Sequence, residues 1–203
     1  MRVLTALVII SVCLFASFRG WNIARFAQAQ VVSSRSDVND LRRWVGVPGV
    51  TSAALQATLA RAVVSDVEAA RQRAQNLIAL LSARPLSSEE WLSLAQMRFI
   101  TGQPENDVQS ALLMSSVTGP NEDYVMWQRG LFGLLIWQSL TADARQQTIR
   151  DFAGALQGVP LGHSELSAAK YLLSAKTDEV RSEISRLLKG EGISQTDFGR
   201  LGL

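Results

Sequence analysis

Two prolines and two tryptophans recur at a nearly constant interval between residues 84 and 140. Pro85 precedes Trp91 by six residues and Pro120 precedes Trp127 by seven, so the prolines lie 35 residues apart and the tryptophans 36. An interval of this length is typical of repeats built from two helices. Each proline follows an apolar helical pattern and precedes a polar residue that can cap a helix. The segment therefore predicts successive helical hairpins.

The residues around the first tryptophan follow a definite order along one helix and into its loop. They are Trp91, Leu94, Ala95, Phe99 and Gly102, with Leu77, Leu80 and Pro85 before them and Trp127, Leu131 and Leu135 opening the next unit, whose helix contains Gly130 and Gly133. This order resembles the tetratricopeptide repeat over about residues 65–157. The resemblance implies an array of antiparallel helical hairpins. Stacked hairpins leave a concave groove that binds an extended peptide or a partner helix.

A second similarity lies in the order of segments after the first repeat. The residues Thr118–Glu122 read TGPNE and precede a helix rich in Trp and Arg, which is followed by a helix like Asp143–Leu156. This order is similar to that of small anchored helical-repeat proteins associated with bacterial polysaccharide synthesis and export. The similarity implies a role in exopolysaccharide or cell-envelope biogenesis, and it carries no catalytic residue.

The amino-terminal segment predicts a membrane anchor within residues 1–30. Val3–Phe18 is an uninterrupted apolar run of 16 residues between two arginines. At about 1.5 Å per residue it covers roughly 24 Å of a bilayer core of about 30 Å. Continuation of the helix through Trp21, Ile23 and Phe26 supplies the remaining length, so we expect residues 3–26 to contact the lipid bilayer. The alternative is a cleaved secretory signal with Ala27–Ala29 as its cleavage site. Arg19 and Arg25, which lie between the run and that site, favour an uncleaved anchor.

The charges around the anchor and its position favour opposite sides of the membrane for the rest of the chain. Arg19, Arg25 and Arg35 follow the apolar run, whereas Arg2 and the amino terminus precede it, and the positive-inside rule then predicts a cytoplasmic domain. An apolar run that begins at the third residue is instead the form of an export signal. We favour the second argument, which predicts a single-pass protein of the bacterial inner membrane with a periplasmic soluble domain.

Caps and apolar spacing predict helices through the rest of the chain. We expect helices over 40–45, 52–64, 66 to about 81, 87–102, 104–116, 121–139, 141–156, 165–175 and 178–188. Thr51 is the expected N-cap of the second helix, and Ser87 with Glu90 forms a capping box at the start of the fourth. No run of alternating β-branched residues is long enough for a sheet, so the fold class is all-α. We assign residues 31–40 to a linker, 41–190 to a helical-repeat domain and 191–203 to a tail without regular structure. The segment 131–137 is apolar on all sides and should be the buried centre.

The residue types that catalysis and metal binding need are scarce. Cys13 is the only cysteine and His163 the only histidine, so no thiolate–imidazole or multi-histidine site can be assembled. The acidic pairs 89–90 and 122–123 fall in the first turns of helices, where the helix dipole favours negative charge. Phosphate-binding and nucleophile motifs are absent from the sequence, and a net charge of +2 spread along the chain excludes the electrostatic footprint of a nucleic-acid-binding protein. We therefore expect a protein that is not an enzyme and has no metal or cofactor.

The adjacent residues Arg42, Arg43 and Trp44 are the candidate partner-binding site. They precede a turn rich in glycine and proline, and an exposed cluster of tryptophan and arginine is typical of an interaction hot spot. The alternative is that Trp44 packs against the first repeat. The predicted function is a membrane-anchored helical-repeat adaptor that binds protein partners at the membrane. The first rival is an accessory single-span subunit of a larger membrane complex. The second is a periplasmic domain that binds carbohydrate or is an enzyme, and in a carbohydrate-binding domain the tryptophans would stack on a glycan.

Overall fold

A computed structural model describes residues 2–32, 41–158 and 161–203. The side chains of residues 2–6, 31 and 32 are not among those described. Every regular element within this part of the chain is helical, which confirms the predicted all-α class. Most of the predicted linker, together with the first residue of the helix predicted over 40–45, lies outside the described residues. The chain divides into two compact units, residues 1–84 and 85–203, and the predicted repeat domain spans parts of both.

The described residues form ten α-helices and one short 3₁₀ helix. The first unit contains α1 (Arg2–Val32), α2 (Thr51–Arg61) and α3 (Val67–Ala83); the second contains α4 (Ser88–Ile100), α5 (Glu105–Thr118), α6 (Asp123–Leu135), the 3₁₀ helix Trp137–Ser139, α7 (Ala142–Gly158), α8 (His163–Ser174), α9 (Asp178–Gly190) and α10 (Gln195–Leu201).

Helix α1 is the one described helix that is long and apolar enough to cross a membrane. The stretch Leu7–Gln30 spans 24 residues with a mean hydropathy of 1.7. Its apolar side chains face outward, and Leu14 and Phe15 are each more than half exposed. Exposed apolar side chains along a whole helix are unfavourable in water and favourable in lipid. The helix is thus consistent with a single-pass anchor.

Polar side chains hold the ends of α2 and α3. The Asp66 carboxylate accepts a hydrogen bond from the Ala69 N–H at 2.8 Å, and that bond keeps the pKa of Asp66 below its ordinary value. Arg73 donates to the carbonyls of Leu59 and Ala62 at the end of α2, and burial lowers the pKa of its guanidinium. The predicted cap at Thr51 is wrong: this residue is already helical, and its hydroxyl donates to the carbonyl of Val47.

Consecutive helices of the second unit pack in pairs. Helix α4 packs along α5, and α6 along α7, with further contacts of α4 with α6 and of α5 with α7. The predicted ends of α4 and α5 agree with the observed bounds within about two residues. The end of α4 was predicted at Gly102, which adopts the left-handed conformation that ends a helix (φ +66°). Lys176 donates to the carbonyl of Leu135 at the end of α6, and burial lowers the pKa of its ammonium group.

The core of the second unit is aromatic. Trp127 is 1% exposed and stacks on Phe152 with ring centres 5.1 Å apart. Trp137 is fully buried, and its indole N–H donates to Glu183 at 3.2 Å. The segment 131–137 is mostly buried, as predicted, although Leu135 is 49% exposed. The helix that was predicted to reach Ser139 instead ends at Leu135 and passes into the 3₁₀ helix.

The carboxyl-terminal segment corrects another prediction. Residues after Gly190 were expected to lack regular structure, but α10 forms there and packs against α8. The Ser194 hydroxyl accepts a hydrogen bond from the Asp197 N–H and so caps the helix. Phe198 and Leu201, three residues apart on one face, are 3% and 1% exposed. Burial of these two side chains stabilises a helix too short to show an apolar period in the sequence.

Candidate functional site

The predicted partner-binding residues lie in a tight turn that spans 41–50. Successive backbone bonds hold it: the N–H of Trp44 donates to Leu41, that of Val47 to Trp44 and that of Val50 to Val47, at 3.1–3.2 Å. Gly46 and Gly49 have φ values of +94° and +91°, which favour glycine over other residues. The turn is therefore a compact, locally hydrogen-bonded element.

This turn packs onto the second half of α1. The side-chain amide of Asn22 donates to the carbonyl of Pro48 at 3.4 Å. Phe26 is 4% exposed and shares a small apolar core with Leu41, Val50 and Ala54. Phe26 was expected to contact lipid, but it is covered by the protein itself. Asn22 and Phe26 lie four positions apart, so both are on the face of α1 that the turn covers.

Trp44 packs against the Phe26 and Arg25 side chains of α1. Its ring meets Phe26 edge-on at 5.8 Å, and the Arg25 guanidinium lies 5.8 Å from the centre of the indole. The indole Nε1 is buried and has no hydrogen-bond partner among the described residues. Trp44 is thus half buried and packs against α1, so it is not the fully exposed side chain that the hot-spot interpretation assumed. Partner binding by this residue stays a prediction.

Four arginines surround the packed turn. Arg42 and Arg43 are exposed and directly precede Trp44. Arg19 lies close to Gly49, where an added Cβ would be 3.2 Å from its Nε. With Arg25, these residues form what we call the arginine collar: Arg19, Arg25, Arg42 and Arg43. The described residues 2–32 and 41–65 contain no acidic residue, so every charged side chain in these two segments is basic.

A cavity of about 340 Å³ opens beside the collar. Its lining residues are Arg42, Val45, Leu55, Thr58, Gln72 and Asn76. The side-chain amide of Gln72 donates to that of Asn76 at 3.4 Å, which leaves further amide donors and acceptors for a ligand. One guanidinium, two amides and two apolar side chains can hold a small polar or anionic group.

A second candidate surface lies on α4 and α6. Both helices contain 13 residues, and they begin 35 residues apart, at Ser88 and Asp123. At this offset four pairs of positions on one helical face have matching exposure. The pairs, which we call the repeat face, are Glu89 with Tyr124, Ser93 with Gln128, Gln96 with Leu131, and Ile100 with Leu135; the first and last pairs are exposed and the middle two half-buried.

The two tryptophans do not correspond at this 35-residue offset. Trp127 is offset from Leu92, and both are buried, whereas Trp91 is offset from the half-buried Met126. Trp91 is itself only half-buried, and its indole N–H donates to the carbonyl of Pro85 at 2.8 Å. The two prolines do share this offset, since each lies three residues before the start of its helix.

Sequence reasoning missed a buried polar network between α5, α6 and α7. The Arg129 guanidinium is fully buried and makes two bonds to the Asp151 carboxylate, at 2.8 and 3.0 Å. Its remaining nitrogen donates to the carbonyls of Ser115 and Gly119 at 3.2 and 3.1 Å. The Ser116 hydroxyl donates to the same carboxylate at 3.0 Å. Nothing in the sequence of α6 indicates that this charge is buried, since the partner of Arg129 lies 22 residues further along the chain.

The other titratable groups hold helix ends together. The Ser88 hydroxyl donates to Glu122 at 2.6 Å, and the Ser87 hydroxyl donates to Glu90. Ser87 also accepts no backbone hydrogen bond at the start of α4, so the predicted capping box is not formed. His163 is exposed, and the described residues contain no group of three or more possible metal ligands.

Comparison of the chain with protein families, curated proteins and solved structures produced no match.

Proposed function

We propose that the protein is a non-catalytic, membrane-anchored adaptor whose repeat face binds an amphipathic helix or an extended peptide of a partner protein. The observation that carries this proposal is the matched exposure of α4 and α6 at a 35-residue offset. Ile100 is 45% exposed and Leu135 is 49% exposed at equivalent positions of two helices that contact each other. Apolar side chains repeated across neighbouring helices suit a partner that presents apolar residues at regular spacing.

The proposal includes a tetratricopeptide-like arrangement of the second unit. The pairs α4/α5 and α6/α7 would be two hairpins, with α4 and α6 side by side as their first helices. Contacts of α5 with α7 support this stacking, because second helices of successive hairpins adjoin in such arrays. The anchor α1 would confine partner binding to the inner membrane. The pattern from Thr118 to Leu156 extends the proposal to bacterial polysaccharide synthesis or export.

A carbohydrate-binding role is the second candidate, supported by the cavity beside Arg42. Its paired amides are suitable partners for hydroxyl groups. Trp44, however, is half buried against α1 and is not a free stacking platform. Binding of soluble glycans by the purified full-length protein, lost in Gln72→Ala and Asn76→Ala, would support this role over the adaptor.

The adaptor proposal is tested by separating surface variants from variants of single titratable groups. Ile100→Asp combined with Leu135→Asp should abolish recovery of the partner and complementation of a deletion strain, with an unchanged circular dichroism spectrum. Val117→Asp is the matched control, because Val117 is 72% exposed on α5, outside the repeat face.

Three further variants address the enzyme alternative. His163→Ala, Glu90→Gln and Asp123→Asn should each complement nearly as well as the unaltered protein, apart from small helix-end effects. A folded His163→Ala protein without activity would contradict the non-catalytic proposal.

A further inference from the structure

The packing of the turn on α1 fixes where the apolar part of that helix can end. Asn22 and Phe26 are 7% and 4% exposed because the turn covers them. A hydrogen-bonded turn with exposed glycines and arginines does not fit inside the hydrocarbon core. The lipid-facing part of α1 therefore precedes this contact, and the residues from about Arg19 onward lie at the level of the phospholipid headgroups.

Because α1 reaches the headgroup level at about Arg19, the arginine collar lies at the membrane surface. Arg19 lies close to Gly49, and Arg25 lies over the Trp44 ring, so each of the two collar residues on α1 lies next to a residue of the turn. Residues 1–65 contain seven arginines and only two acidic residues, Asp37 and Asp40, which lie outside the described part of the chain. Such an excess of basic charge beside an anchor attracts anionic lipids.

We infer that the arginine collar is a binding site for anionic phospholipid headgroups, with the cavity beside Arg42 receiving one phosphodiester group. The cavity adds the Gln72 and Asn76 amides to the guanidinium, and such donors hydrogen-bond phosphate oxygens. Guanidinium groups bind phosphate through two parallel hydrogen bonds and retain their charge in all ordinary conditions. The inference rests on membrane anchoring, one part of the proposed function, and does not depend on partner binding.

Native mass spectrometry of the full-length protein in detergent tests this site. An equimolar mixture of phosphatidylglycerol and phosphatidylethanolamine is added, and the bound lipids are counted. We expect phosphatidylglycerol adducts to exceed phosphatidylethanolamine adducts about tenfold, because each basic residue near the surface favours an anionic lipid. The excess should fall to near unity in Arg42→Gln/Arg43→Gln and should decline with added salt in the unaltered protein, which provides a measurement independent of any variant.

The matched control removes two charges from the basic cavity of the second unit. Arg186→Gln/Lys189→Gln alters a cavity of about 620 Å³ that also contains Arg181, and it should leave the lipid preference unchanged. Equal loss in this variant, or no preference in the unaltered protein, would overturn the inference. A large excess of glycerol phosphate that displaces the lipid completely would assign the site to a free anion and also overturn it. Extraction of the protein from membranes by carbonate would contradict anchoring itself, a separate result.

Discussion

Arg129 and Asp151 form a two-bond ion pair that is closed to solvent, with N–O distances of 2.8 and 3.0 Å and both side chains at most 3% exposed. The pair joins α6 to α7, and the carbonyls of Ser115 and Gly119 extend it to α5 and the turn that follows. Every nitrogen of the guanidinium donates a hydrogen bond within this network. Such an arrangement holds three helices in one geometry, and burial closes it to a ligand.

Asp151→Asn should destabilise the protein by about 3–5 kcal/mol, because it leaves the Arg129 charge buried without its counter-ion. Urea unfolding in detergent micelles, followed by circular dichroism, measures the change. Arg150→Ala is the matched control: the neighbouring Arg150 is 60% exposed and pairs with Glu191 at 3.7 Å, so its loss should cost less than about 1 kcal/mol. Equal effects of the two substitutions would show that the buried pair is not a distinct stabilising element.

Trp127→Ala should cost about 3–5 kcal/mol, since the ring is 1% exposed and stacked on Phe152. Trp91→Ala should lower the free energy of unfolding distinctly less, because Trp91 is only half-buried, as is Met126 at the 35-residue offset. The same unfolding experiment compares the two. A larger loss for Trp91 would restore the 36-residue alignment of the tryptophans.

Gly130→Ala should lower the free energy of unfolding although alanine is the better helix former. The new Cβ would lie 2.8 Å from the Cβ of Phe152 and 3.0 Å from its Cα, so α7 would have to move. Overpacking of this kind costs about 1–3 kcal/mol, against a gain of about 1 kcal/mol in helix propensity. Gly190→Ala, at the open end of α9, should be neutral or stabilising. A stabilised Gly130→Ala protein would mean that α6 and α7 are not in close contact.

Periplasmic placement of the second unit can be tested with a single introduced thiol. In a Cys13→Ser background, Val117→Cys places a thiol at a position that is 72% exposed and lies outside the repeat face. A membrane-impermeant maleimide should label this residue in intact cells. Labelling that requires disruption of the inner membrane would assign the unit to the cytoplasm, as the arginines after the apolar run favour.

Local signals predicted most helix ends, and long-range contacts account for what was missed. Gly102 ends α4 through its own backbone preference, which a sequence shows directly. The partner of Arg129 lies 22 residues away and could not be inferred from spacing. Phe26 belongs to the apolar stretch of α1, and nothing local indicates that a turn 15 or more residues later covers it. The repeat face is defined by matching exposure at the 35-residue offset, and the residue types at these positions do not show it.

Photo-cross-linking in living cells tests the adaptor account most directly. Benzoylphenylalanine replaces Leu135 on the repeat face or, as the control, Val117 on α5, and membranes are isolated after irradiation. The account predicts one discrete protein adduct from position 135, its loss when Ile100→Asp is added, and none from position 117. Adducts of equal yield at both positions, or an adduct from position 135 that survives Ile100→Asp, would contradict it.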